Sequence, residues 1–210
     1  RWTGVAKGNV SDADRATAKQ LAYGVLYGSG PARFAQEMGV TEAEARAQIE
    51  AFKKSVPGVE TWRRRLIETA ARASPPRVET IGGRRRVLPS LGPAAAAAVA
   101  GEDAKRRFRS ERSADERRAV NTACQGSAAD VVKRAMIAVR AELDPSLATP
   151  VLQIHDELLF EADASRVAEA ARAVRAIMER AGGQYGFTVP LPVKVSAGGN
   201  WGDLVELVDL

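Results

Sequence analysis

The 210-residue chain has one cysteine, Cys124, and one histidine, His155. A single thiol excludes an internal disulfide and a cysteine-based zinc site, and it favours a reducing, intracellular compartment. Cys124 is expected to be a small buried residue. A single imidazole excludes a multi-histidine metal centre. No run approaches the roughly 20 apolar residues of a membrane span and no signal-peptide pattern opens the sequence, so no membrane partner is expected. The chain opens on Arg1 rather than Met, as a fragment or excised portion would.

What is present is ordinary in bulk and biased in charge. A hydrophobic fraction of 45% is enough to bury a core at this length. Net charge is +5 and the isoelectric point about 9.6. Arg63-Arg64-Arg65, Arg84-Arg85-Arg86 and Lys105-Arg106-Arg107 form clusters that suit a polyanion whose binding weakens with salt, although each cluster alone is equally well a solvated face.

Two segments carry the chemistry. In Asp14-Arg15-Ala16-Thr17-Ala18-Lys19-Gln20-Leu21-Ala22-Tyr23-Gly24-Val25-Leu26-Tyr27-Gly28 a guanidinium, an ammonium and two phenols recur every fourth residue. Steps of four advance about 40° around a helix, so residues 12–28 would carry Arg15, Lys19, Tyr23 and Tyr27 as one drifting stripe. Ser11 or Asp12 caps its start and Gly28-Ser29-Gly30-Pro31 ends it. An Arg fork suits terminal phosphate oxygens, a Lys suits an inner phosphate, and a ring one turn on can lie against a base or sugar. The same spacing also describes a solvated basic face with half-buried tyrosines.

The second segment, residues 151–161, has apolar runs Val151-Leu152-Gln153-Ile154 and Leu158-Leu159-Phe160 around His155, Asp156 and Glu157. These read as strands joined by a tight turn with the three polar residues at its tip. Adjacent carboxylates repel, so an ordered pair favours a hard cation such as magnesium, with Asp156 as ligand. Phosphoryl transfer through two metals needs a further carboxylate, and no other segment supplies an obvious one.

Elsewhere, Thr41 and Glu44 form a capping box for a helix over 41–52, and another helix spans 59–73 until Pro75-Pro76 stops it. Residues 78–81 read as a short strand entering Gly82-Gly83. Gly92-Pro93 and the alanines that follow, through 104, read as a low-complexity insertion, mobile or loosely helical. One long helix or two occupy 112–143, a further helix 165–181, and a strand 189–195. The second half is then an antiparallel sheet with helices on one face, an α+β fold.

Both segments, in this order, with Asn121-Thr122-Ala123-Cys124-Gln125-Gly126-Ser127-Ala128-Ala129-Asp130 between them and Gly83-Arg84-Arg85-Arg86-x-Leu88-Pro89 before, resemble the fingers and palm of a family A DNA polymerase, the class of bacterial DNA polymerase I. The resemblance runs from about Ser11 to Trp201. It implies helical fingers over residues 1–91, an Ala-rich insertion or linker over 92–104, and a C-terminal palm portion over 105–210 with a catalytic hairpin at 151–161. It implies that Arg15 and Lys19 hold the phosphates of a dNTP, that Tyr23 packs on its sugar and base, and that Tyr27 stacks at the templating position. A hydroxyl at Tyr23 is associated in the family with tolerance of a sugar lacking its 3'-OH.

By the same resemblance Asn121 and Gln125 read the minor groove at the primer-template end, Arg117 contacts the primer strand, and His155 lies near the primer terminus. Asp156 binds two magnesium ions and Glu157 has an auxiliary part. Lys19 is a candidate proton donor to the departing pyrophosphate. The family's first catalytic Asp, in an Asp-Tyr-Ser-x-Ile-Glu-type strand ahead of the Arg-Lys-Tyr helix, has no counterpart here, nor do the thumb and exonuclease-like domain. The ending Val193 to Leu204, above all Trp201-Gly202, and the turn Gln153 to Glu161 look closer to the eukaryotic repair polymerases theta and nu, which would imply DNA repair in a nucleus rather than a bacterial cytoplasm or organelle. The alternatives are a single-subunit RNA polymerase, against which Gln125 to Asp130 and Glu157 argue, and a polymerase-derived DNA-binding module without turnover.

Overall fold

The computed structural model describes residues 10–97 and 100–208. Its elements are α1 (Asp12–Tyr27), α2 (Pro31–Met38), α3 (Glu42–Ser55), α4 (Pro57–Arg72), β1 (Arg77–Glu79), β2 (Arg85–Val87), α5 (Pro93–Ala97), α6 (Glu102–Asn121), a π-helical turn (Thr122–Gly126), α7 (Ser127–Glu142), β3 (Ala148–Ile154), β4 (Glu157–Ala162), α8 (Val167–Arg180), β5 (Ser196–Ala197) and β6 (Val205–Glu206). The strands pair as three antiparallel two-stranded sheets, β1–β2, β3–β4 and β5–β6. The class is α+β as expected, with separate hairpins among the described residues in place of one continuous sheet. The chain divides into two compact units, one built from the chain up to Glu79 with Arg85–Ala123, the other from Thr80–Arg84 with Cys124 onward.

In the first unit α1 is fixed at both ends by local chemistry. Ser11 accepts the Asp14 amide at 3.1 Å while the Asp14 carboxylate takes the Ser11 amide at 3.0 Å, a reciprocal capping box. At the other end Gly28 takes a left-handed φ of 75°, which closes the helix and which a residue with a Cβ resists. Leu21 and Val25 then pack on Phe34 and Ala35 of α2 and Ala45 and Ile49 of α3. Thr41 and Glu44 cap α3 as the sequence predicts. A second cluster joins Ala70 of α4, Val78 of β1, Leu88, Leu91 and Ala119 of α6. Buried Asp115 of α6 accepts the Ser90 amide at 3.0 Å and an Arg118 N–H at 2.8 Å.

In the second unit Val139 of α7 and Ala170, Val174 and Ile177 of α8 close on Leu143, Leu147 and Ala148. The β3–β4 hairpin pairs Ile154 with Glu157 and Leu152 with Leu159, and its register shifts between Pro150 and Leu152. Val151 and Leu152 of β3 stand 47% and 46% exposed.

Several expectations are corrected. Residues 189–195 form no strand: Pro190 and Pro192 lack the amides a ladder needs, and the Val193 amide goes to the Glu179 carboxylate at 3.0 Å. Of the one long helix or two expected over 112–143 the structure has two, joined by the π-helical turn, and the first begins earlier than expected, at Glu102. Within the alanine-rich segment Pro93–Ala97 is helical, and residues 98 and 99 lie outside the described residues. The hairpin tip holds two residues rather than three, because Glu157 already pairs as the first residue of β4.

Candidate functional site

The stripe on α1 exists as drawn. Leu21 and Val25 turn one face of the helix into the core, which leaves Arg15, Lys19 and Tyr23 exposed on the opposite face. The Lys19 ammonium sits 5.9 Å from the centre of the Tyr23 ring, within reach of a cation–π contact. The Tyr23 and Tyr27 rings stack with centroids 6.2 Å apart and planes at 20°. Neither Arg15 nor Lys19 has an ion-pair partner among the described residues, so both charges stay available to an external anion.

The end of the stripe abuts α6 and α4 of the same unit. A Cβ placed on Gly28 would lie 3.8 Å from the Arg117 Cγ and 3.6 Å from the Arg63 Nη2. Arg117 is exposed and donates to the Ser113 hydroxyl at 2.8 Å. Asn121, half-buried, is the last residue of α6. Arg63, assigned from the sequence to a basic cluster, is mostly buried, with Glu60 at 3.6 Å and Glu116 at 3.8 Å. Arg85 is likewise paired with Glu79 at 3.0 Å, and Lys105 with Glu102 at 2.8 Å. Of these, only Arg63 is largely withdrawn from solvent; Arg85 and Lys105 are exposed but ion-paired.

In the second unit His155 and Asp156 form the tip of the β3–β4 hairpin. His155 has φ of 53°, the one non-glycine positive φ among the described residues. That conformation is disfavoured for a residue with a Cβ and marks a place where the surrounding structure fixes the backbone. Part of the fixing comes from Gln153, whose side-chain amide donates to the His155 carbonyl at 2.6 Å. Sequence reasoning gave Gln153 no role, because a side-chain bond to a turn carbonyl has no spacing signature. His155, Asp156 and Glu157 are all exposed, and Asp156 makes no ion pair among the described residues. Its oxygens suit a hard cation that keeps most of its waters. Among the described residues, no group of three or more His, Cys, Asp or Glu side chains gathers into a metal cluster.

Gln125 is exposed on the π-helical turn, and the neighbouring half-buried Cys124 thiol is pushed up in pKa by desolvation, the reverse of a reactive thiolate. Behind this turn lies a polar network that the sequence did not disclose. The Asp130 carboxylate, buried, accepts Arg84 Nε at 2.6 Å and the Gly82 amide at 3.1 Å. Burial by itself would raise its pKa. The Thr80 and Arg84 side chains, the Gly82 amide and the Arg84 charge together outweigh burial and hold the carboxyl below its ordinary value. No helix among the described residues is long and apolar enough to cross a membrane.

Comparison with known proteins gives one consistent result. The model of DNA polymerase family A matches residues 1–203. The chain is 37% identical over 198 residues to the thermostable DNA polymerase I of Thermus aquaticus, covering 94% of this chain and 22% of that protein. It is 40% identical over 187 residues to the thermostable DNA polymerase I of Thermus filiformis, 89% of this chain and 20% of the relative. With the DNA polymerase I of Deinococcus radiodurans the identity is 34% over 200 residues, 95% and 19% of the two chains. The chain thus spans about a fifth of the length of these relatives. Among solved structures, the POL domain of Pol1 from M. smegmatis, in complex with DNA primer-template and dNTP, superposes with a TM-score of 0.75 at 35% identity, over 91% of this chain and 31% of that one.

Proposed function

The chain belongs to DNA polymerase family A, and on that premise we propose that it supplies the dNTP-binding helix and one metal-binding carboxylate for template-directed DNA synthesis, in which a primer 3'-OH attacks the α-phosphate of a dNTP and pyrophosphate leaves. The observation that carries this reading is the α1 stripe: two exposed cations without ion-pair partners among the described residues, followed on the same face by two stacked phenol rings. A triphosphate needs the first pair and a nucleoside the second.

In this reading Arg15 clamps outer phosphate oxygens with its planar fork, and Lys19 takes an inner phosphate one turn on. Tyr23 packs against sugar and base, and Tyr27 continues the ladder toward the templating position. Lys19 also hands a proton to the departing pyrophosphate. Magnesium, two ions in the complete site, would neutralise charge developing on the transferring phosphoryl group and lower the pKa of the attacking hydroxyl. Asp156 would hold it, with Glu157 auxiliary and His155 beside the primer terminus. Arg117 would meet the primer strand. Asn121 and Gln125 would donate to minor-groove acceptors, which occupy similar places in every correct base pair, so that shape is checked without a sequence code.

The relatives named above are bacterial and give more weight to a polymerase I setting than to theta, nu or a nucleus; a repair role rests on the Val193 to Leu204 ending and the Gln153 to Glu161 turn. The proposal is tested by extension of a primed template by the full-length protein with dNTPs or rNTPs. Efficient, template-directed dNTP incorporation supports it. Preference for rNTPs would turn the reading to an RNA polymerase, and binding without extension to a DNA-binding module.

A further inference from the structure

We infer that Arg84 and Asp130 are positioning residues for Gln125: the loop Thr80–Arg84 braces the π-helical turn from behind and fixes where the Gln125 amide is presented. The inference rests on the reading of Gln125 as a minor-groove donor.

A π turn bonds i→i+5 rather than i→i+4, so the ladder is irregular where it rejoins an α-helix and a carbonyl there is open to a side-chain donor. Here the Gly126 carbonyl, the last of the turn, receives Arg84 Nη2 at 2.8 Å. The same guanidinium gives its Nε to Asp130 at 2.6 Å, one turn further along α7. The second Asp130 oxygen takes the Gly82 amide at 3.1 Å, and the Ile81 amide donates to the Ser127 hydroxyl at 2.9 Å. Residues 81, 82 and 84 are thus tied to 126, 127 and 130 by four hydrogen bonds. Two of these use the planar Arg fork, whose geometry a point charge cannot copy.

The loop sequence is what such closeness demands. A Cβ on Gly82 would stand 2.7 Å from an Asp130 carboxylate oxygen, and Gly83 has φ of 81°. The side chain of Gln125, immediately before the braced carbonyl, makes no hydrogen bond among the described residues and is exposed. Its backbone is held while its amide is uncommitted, the arrangement that a shape-checking donor requires. The first arginine of the Arg84-Arg85-Arg86 triplet is therefore committed inward, although its side chain is 51% exposed.

The test is single-turnover extension by the full-length protein from a terminal base pair whose guanine, in one strand or the other, is replaced by 3-deazaguanine, which lacks the minor-groove N3 acceptor. The strand on which Gln125→Ala abolishes the penalty is the one scored. Wild type should lose roughly tenfold in kcat/KM on the analogue, the weight of about one well-placed hydrogen bond. Arg84→Ala should reduce that penalty to below about threefold although Gln125 is intact, and Arg84→Ala/Gln125→Ala should be no worse than Gln125→Ala. Arg84→Lys, able to serve one acceptor but not both, should fall between. Retention of the full penalty in Arg84→Ala overturns the inference alone. So does an equal loss on both termini with a salt slope reduced by about one, the signature of a phosphate contact. A wild type indifferent to the analogue would overturn the Gln125 reading and the inference with it. Should Arg84→Ala fail to fold, Ser127→Ala removes only the Ile81 anchor and must still lower the penalty; an unchanged penalty there overturns the brace.

Discussion

Replacing Asp130 by Ala should release the loop Thr80–Arg84 at a cost of about 2–3 kcal/mol. The substitution removes the acceptor for Arg84 Nε and for the Gly82 amide at once. Breaking a fully buried charge pair costs about 3–5 kcal/mol. The Asp130 side chain is 7% exposed but Arg84 is 51% exposed, so water recovers part of the Arg charge and the lower figure applies. The exposed Arg33–Glu37 pair, 74% and 47% accessible, sets the contrast, and Arg33→Ala should cost no more than about 0.5 kcal/mol. Hydrogen exchange of the Gly82 amide reads the difference locally: a loss of about 2 kcal/mol speeds it roughly thirtyfold. The pH dependence follows from the depressed carboxyl. Its stabilisation is fully present above the unfolded pKa of about 3.9 and is lost as pH falls through the lower folded value. After correction for intrinsic exchange, wild-type protection should stay level from neutral pH to about pH 4 and then decline, and Asp130→Asn should show no such limb. Gly82 exchange within threefold of wild type in Asp130→Ala would refute the reasoning.

Three further outcomes follow from the site. Ser11→Ala removes the N-cap of α1 and should cost about 1 kcal/mol in denaturant unfolding, with no change for the cap of α3 at Thr41. Lys19→Ala should lower the single-turnover rate of dNTP incorporation by at least tenfold while leaving primer-template affinity within about twofold, measured by rapid quench and fluorescence anisotropy; retained full activity would remove its proton-transfer role. Tyr23→Phe deletes the exposed phenol hydroxyl and should raise discrimination against dideoxynucleotides by several-fold in competitive primer extension, with stability unchanged because Tyr23 is 50% exposed.

What is legible in the sequence is what short-range chemistry determines. Ser11 and Gly28 bound α1 because a cap and a left-handed glycine act within a turn of their own position, and Thr41 with Glu44 does the same for α3. The stripe survives folding because Leu21 and Val25, two residues beyond Lys19 and Tyr23, point the opposite way into the core. Errors arise where the deciding partner is remote or leaves no pattern. Val189, Val193 and Val195 suggest a strand, but the Val193 amide goes to the Glu179 carboxylate 14 residues back, and Pro190 and Pro192 offer no donors of their own. Arg84 looks like one of three equivalent surface charges until Asp130, 46 residues away, claims it. A π turn has no periodicity of its own, so Thr122–Gly126 reads as ordinary helix. The Gln153 bond to the His155 carbonyl is a tertiary detail that no residue count discloses.

The central claim, that Asp156 serves a magnesium-dependent nucleotidyl transfer, is tested most directly by primer extension with the full-length protein beside Asp156→Ala. The account predicts extension that rises with magnesium in wild type and falls at least a thousandfold in Asp156→Ala, roughly 4 kcal/mol of transition-state stabilisation, with primer-template binding retained. Extension by Asp156→Ala at near wild-type rates would contradict it.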